Sequence, residues 1–304
     1  MRNKWISILT MFVLMLALIL PSSALAADGE TKNAINEKLG VPIVVYGANL
    51  SETEKQTVRT ALRVEQEAEV DEINVSGQDL ATYIKDGNSS ARMYSSAKIT
   101  REDEGKGLTI SIVTPENITQ VTAEMYASAM LTAGIEDATV EIAAPKPVTG
   151  HSALVGIYKA YEAKTGETLD IERTDVANEE LSVATSIAES AGVTDAQVAE
   201  LITEIKKVIA ENKPETREEV EQIVSEQLNK LGVNLSETDR QLLVDLMDRI
   251  SKLDIDFNKL SDQLSDLTTK FQEEFGNFME DEGFWNSVKT FFSNLVDTIS
   301  TWFK

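Results

Sequence analysis

Ala138-Thr139-Val140-Glu141-Ile142-Ala143, then Pro145 and Pro147, then a run from Ser152 to Lys164 carrying Leu154, Ile157, Tyr158 and Tyr161 on one face: this passage decides the fold. Its first part alternates apolar and polar side chains, the pattern of a half-buried strand. The prolines stop that strand, and the helical spacing that follows ends at Gly166. Upstream, Gly40 to Gly47 is a short β-rich run closed by glycine. Ser51-Glu52-Thr53-Glu54 is a capping box, whose hydroxyl and carboxylate each satisfy a free N–H at a helix start, so a helix is expected through Val58, Leu62 and Val64. Ala91–Thr100 and Gly107–Val113 flank Arg101 to Lys106 and are predicted to pair as an antiparallel hairpin. Asn117 is expected to cap a helix carrying Val121, Met125, Ala129 and Thr132 that stops at Gly134.

Beyond about Leu169 the β signals vanish. Segments near 175–191, 195–211 and 215–230 read as helices separated by Gly192, Pro214 and Gly232, with Pro214 suited to a first helical turn. A seven-residue apolar repeat then sets in. Leu243, Ile250, Phe257 and Leu264 form one register, and Leu246, Leu253, Leu260 and Leu267 form its companion. Such spacing keeps a seam on one side of a helix. Glu274 and Asp281 interrupt the companion register near Gly276 and Gly283, which predicts a hinge at 276–283. The last segment gathers Phe284, Trp285, Phe292, Leu295, Ile299, Trp302 and Phe303 against a polar opposite side, the pattern of a helix that packs on the protein's own helices or lies against a membrane or a partner.

Arg2 and Lys4, the apolar run Trp5–Leu20, Pro21 and Ala24-Leu25-Ala26 read as a cleaved secretory signal over residues 1–26. The expected location is secreted, extracellular or associated with the cell envelope. There is no cysteine, so the fold is expected to rest on packing without disulfides. Setting aside Arg2 and Lys4 leaves 26 of the 28 basic residues against 51 acidic ones, a net charge of −25. Such a chain repels phosphate backbones, and no nucleic-acid partner is expected.

The blocks Pro115-Glu116-Asn117-Ile118-Thr119, Met125-Tyr126, Thr132-Ala133-Gly134-Ile135, and Gly150 through Glu162 (GHSALVGIYKAYE) carry a resemblance. With them the chain resembles the YpuA-like family of exported Gram-positive proteins, a domain of unknown function. The resemblance implies a bacterial secreted protein in two units. It implies no activity, cofactor or catalytic residue.

The chemical constellations fail on inspection. His151 is the only histidine, and with no cysteine the usual zinc sets cannot be assembled. It stands at a helix start beside Ser152, which is not a triad geometry. Ser95-Ser96-Ala97-Lys98 and Lys164-Thr165-Gly166 match penicillin-binding motifs in letters. The serine, however, lies in a β-rich run and the K-T-G at a helix end, the reverse of what that chemistry needs. Asp254-Ile255-Asp256-Phe257-Asn258 opens like a calcium loop but has Lys259 in place of the glycine and Ser265 in place of the last glutamate. No catalytic residue, metal or cofactor is expected.

The fold expected is mixed α+β: a small α/β domain over 27–170, a helical domain over 171–242, a coiled-coil-like helix over 243–275, and a hinge with an aromatic amphipathic helix over 276–304. The function expected is binding or assembly at the envelope without catalysis, through a protein partner or self-association of the C-terminal helices, with peripheral membrane contact as a further mode. The alternative is an envelope hydrolase acting on wall glycan or peptide through a carboxylate pair in the α/β domain.

Overall fold

The computed structural model describes residues 38–267. The signal segment, the hinge at 276–283 and the aromatic face from Phe284 to Phe303 lie outside them. The fold is mixed α and β, built on a five-stranded sheet of order β2-β1-β3-β5-β4. Its strands are β1 (Ile43–Gly47), β2 (Asp71–Val75), β3 (Ser96–Arg101), β4 (Leu108–Ile112) and β5 (Ala138–Ala143). β1 and β2 run parallel and are joined by α1 (Glu52–Ala61); β4 and β5 run parallel and are joined by α3 (Ala123–Ala133). β3 lies between the two units, antiparallel to both β1 and β5.

The capping box forms as the sequence predicts: Glu54 N–H donates to Ser51 Oγ at 3.3 Å, and Ser51 N–H donates to Glu54 Oε2 at 2.9 Å. β5 spans the alternating residues Ala138 to Ala143, and Gly134 ends α3 in a left-handed conformation. Other expectations change. β3 and β4 are not a hairpin, because β5 inserts between them. The helix after β4 crosses over and returns its strand into the gap, so a short turn joins two strands that never pair. α3 is capped by Thr122, while Asn117 donates to Ala144 O at 2.8 Å and holds the loop after β5. β2 and α2 (Gly77–Tyr83) arise from residues that carried no clear signal.

One face of the sheet is covered by α1: Val44 and Tyr46 pack with Val58, Leu62, Val64 and Ala143. The other face is covered by α4 (His151–Thr165) and α3, and α2 packs against α4. Gly156 allows α4 a close approach to β1, since a Cβ there would stand 3.1 Å from a Val45 methyl. Behind this layer stand α5 (Ile171–Ser190), α6 (Asp195–Asn212), α7 (Arg217–Leu231) and α8 (Glu237–Ser251). α5 begins at the composition change, yet one core runs without a gap from Val45 and Ile142 through Leu154 and Leu181 to Leu243 and Leu246. Pro214 precedes α7 rather than entering it; Thr216 is the cap.

The seam residues Leu243, Leu246, Ile250, Leu253, Leu260, Leu264 and Leu267 are all buried in that core, with Phe257 half-buried against it. The helix is not continuous. α8 ends at Ser251, and residues 257–267 form a second helical stretch. Asp256 makes the break: its Oδ1 accepts from Asn258 N–H at 3.0 Å and Lys259 N–H at 3.3 Å, the pattern of a new N-cap. The calcium-like Asp254-to-Asn258 sequence is therefore a helix start.

Candidate functional site

A cleft of about 530 Å³ opens where α2, α4, α5 and α8 converge. Ligand pockets in proteins occupy about 300–1,000 Å³. α2 and the residues after it supply Leu80, Ile84, Lys85 and Asp86; α4 supplies His151, Ser152 and Val155; α5 supplies Asp175, Asn178, Glu179 and Ser182; α8 supplies Arg249.

Each wall is fixed by bonds behind it. Thr174 Oγ1 donates to Tyr83 O at 2.7 Å and Lys85 N–H donates to Asp175 Oδ1 at 2.8 Å, so the start of α5 clamps the end of α2. Tyr83 donates its phenol to Glu162 at 2.6 Å. Asn178 Nδ2 donates to Thr174 O at 2.7 Å and to Tyr158 Oη at 3.3 Å. Arg249 donates to Asp175 Oδ2 at 2.7 Å and also pairs with Glu179, one turn further along α5. Burial of Leu246 and Ile250 sets the rotation of α8 that turns Arg249 toward these carboxylates.

α4 enters the cleft without a side-chain cap. Gly150 stands at its N-cap with φ 104°, and its carbonyl accepts from buried Tyr126 Oη at 2.6 Å. His151 is the first residue of the helix, as its position predicts, with Nε2 3.4 Å from Thr185 Oγ1. Burial holds its imidazole below the ordinary 6.5, against a hydrogen bond to the Leu181 backbone and the charge of Glu189. A base depressed in the folded state is protonated first in the unfolded chain as pH falls below 6.5. His151 therefore gives its full support above that pH and loses it on acidification, until the folded imidazole itself takes the proton. His151→Gln is expected to narrow the fall in melting temperature between about pH 7.5 and 5.5 relative to the parent chain. An unchanged difference would show that the ring does not contribute.

The arrangement offers an apolar floor, hydrogen-bonding groups and engaged charges, without an assembled catalytic set. Asp175 and Glu179 are a carboxylate pair, but they lie on one helix and both are held by Arg249. Glycoside hydrolysis needs a protonated carboxyl on one side of the bond and a free carboxylate on the other. Ser95 is buried ahead of β3, while Lys98 pairs with Glu67 and Glu141 and donates to Leu62 O at 3.0 Å. Lys164-Thr165-Gly166 closes α4 and pairs with Asp71, far along the helix from His151. Among the described residues no group of three His, Cys, Asp or Glu could hold a metal.

Of the cleft residues only His151 and Ser152 stood out in sequence. The others come from four elements and carry no local signature; the Asp175/Glu179 spacing on a helical segment was the one available hint. The seam residues contribute indirectly, through the placement of Arg249.

Residues 46–267 match the model of a protein family described as "Protein of unknown function (DUF1002)", which runs from β1 through the whole helical layer. The chain is also 35% identical over 211 residues to "Uncharacterized protein YpuA" of Bacillus subtilis (strain 168), covering 68% of this chain and 67% of that protein. No solved structure matches. The cleft and all of the fold from Tyr46 onward thus lie within the matched span, and the chain belongs to the DUF1002 family of proteins of unknown function.

Proposed function

We propose that this chain is an exported, non-catalytic binding protein of the cell envelope, and that the cleft between α2, α4, α5 and α8 is its ligand seat. The observation that supports this reading is the cleft itself: large enough for a ligand, with Asp175 and Glu179, the two acids one turn apart on α5, already occupied by Arg249. Charges fixed in this way shape and orient a pocket but do not exchange protons with a substrate. Export rests on the signal-like residues 1–26, and the wall is the polymer such a protein meets.

Soluble wall fragments, glycan chains bearing peptide stems, are the probe. They are expected to bind the mature chain saturably and to be recovered intact by mass spectrometry. Ser182→Trp places an indole from an exposed position into the cleft and should abolish binding while leaving the melting temperature within a few degrees. Shortened fragments would favour the hydrolase, and absence of binding would sink the reading.

The aromatic face of Phe284, Trp285, Phe292, Leu295, Ile299, Trp302 and Phe303 is proposed as the element that holds the chain at the envelope. Fully burying such side chains is worth on the order of 2–3 kcal/mol each. Truncation at Gly283 is expected to release the protein from the wall and membrane fractions into the medium; an unchanged distribution would show that the segment does not hold the chain there.

A further inference from the structure

The two edges of the sheet are finished differently. At β2, Asp71 N–H donates inward to Pro42 O at 2.9 Å and Val75 O accepts from Ala48 N–H at 2.8 Å, so Glu72 and Asn74 turn their backbone groups outward. Lys159 Nζ closes Asn74 O at 2.8 Å, and Glu72 carries ion pairs to Arg59 and Lys55. Charge and a capped carbonyl are devices that keep an edge from recruiting another strand.

β4 has neither device. No charged residue occurs from Leu108 through Pro115, and the strand is rich in β-branched residues. Val113 N–H donates to Ile142 O at 2.8 Å, continuing the parallel ladder with β5. In such a ladder a residue turns both its N–H and its C=O to the same side, and successive residues alternate. Thr109, Ser111 and Val113 therefore face β5, while Ile110 and Ile112 turn their backbone groups outward, where no described residue bonds them. The helical stretch 257–267 meets this strand at Gly107 and Leu108. Side chains of Thr109 and Ser111 are exposed on the open face.

The geometry points to β4 as the edge through which two copies of this chain join, antiparallel about a two-fold axis at Ser111. In that register Ile110 of each copy exchanges both backbone hydrogen bonds with Ile112 of the other, and Ser111 stands opposite its own copy. A self-complementary edge is what a closed two-fold contact requires. Charge selects the second copy as occupant. With 51 acidic and 28 basic residues, a symmetric contact on most surfaces would oppose like charges, and this uncharged strand opposes none. Added salt should tighten the pair by screening the repulsion between the rest of the two surfaces.

The test uses position 111, exposed and outside the core. The parent chain is expected to be dimeric by light scattering and native mass spectrometry at tens of micromolar. Ser111→Asp and Ser111→Lys each place like charges about 5 Å apart across the axis and should give monomers with unchanged circular dichroism. Mixing the two variants should restore a dimer containing one of each. Ser111→Cys, in a chain that has no other cysteine, should form a single intermolecular disulfide on mild oxidation, because a non-hydrogen-bonded antiparallel pair has its Cα atoms about 4.5 Å apart. A parent chain that is monomeric at all these concentrations, or a dimer that neither charged variant disturbs, would overturn the inference.

Discussion

Lys206→Met is expected to lower the unfolding free energy by about 3–5 kcal/mol, the cost of leaving a buried charge without its partner. Lys206 is fully buried on α6, and its ammonium lies 3.0 and 3.1 Å from the two carboxylate oxygens of Glu180 on α5. The same ammonium donates to Ser128 O at 2.8 Å and to Thr132 Oγ1 at 2.7 Å on α3. Ser128 and Thr132 in turn donate their hydroxyls to Glu180 at 2.5 and 2.6 Å. Three helices are thus tied by one charge-compensated knot inside an apolar core. Burial pushes the Lys206 ammonium below its ordinary range, and Glu180 counters that push. Removing the lysine leaves Glu180 in the interior with two hydroxyls and no cation. The double variant Lys206→Met/Glu180→Leu is expected to regain most of the loss, since replacing a whole buried pair by apolar groups is often neutral or stabilising. Urea unfolding of the parent and the two variants checks this. Equal losses in the single and double variants would mean that packing, not the orphaned charge, carries the effect.

Gly150→Ala is the second large effect expected, at about 2–5 kcal/mol, combining an unfavourable backbone region with overpacking. At φ 104° an L side chain is strained, and its Cβ would stand 2.7 Å from Tyr126 Oη and 2.8 Å from an Ile118 methyl. Tyr126 is wholly buried, so it cannot swing away. Gly150 also places His151 and Ser152 at the cleft, which gives the substitution a second readout. If α4 is displaced, the imidazole of His151 should change its environment even where the chain remains folded. Thermal unfolding and the imidazole NMR signals of the variant report the two consequences separately. A variant as stable as the parent would show that the helix entry is not locked by this contact.

Local grammar was legible where the physics is local. Ser51 with Glu54, Gly134, the alternating Ala138–Ala143 and the helix ending at Gly166 all follow from capping, turn and periodicity rules that act within a few residues. Pairing was not legible. The Arg101–Lys106 turn looks like a hairpin loop, but the partner of both flanking strands arrives about 30 residues later, and nothing local announces it. β2 escaped notice because an edge strand carrying Asp71 and Glu72 lacks the apolar alternation of a half-buried strand. The helix break at 252–256 was hidden for the opposite reason. Leu253 and Phe257 keep the seven-residue repeat across it, and only the capping oxygen of Asp256 reveals the restart. The cleft required the tertiary fold, since Arg249 meets Asp175 and Glu179 from 74 and 70 positions away in the chain.

A binding cleft must receive its ligand and leave it intact. His151 lines the cleft and is the chain's only histidine, so selective nitrogen-15 labelling of histidine gives one imidazole reporter in the whole protein. Titration with soluble wall fragments is expected to move that reporter saturably, to leave it still in the Ser182→Trp variant, and to return the fragments unchanged in mass. A reporter that stays fixed in the parent chain at fragment concentrations that saturate the protein elsewhere, or fragments that come back shortened, would contradict that role.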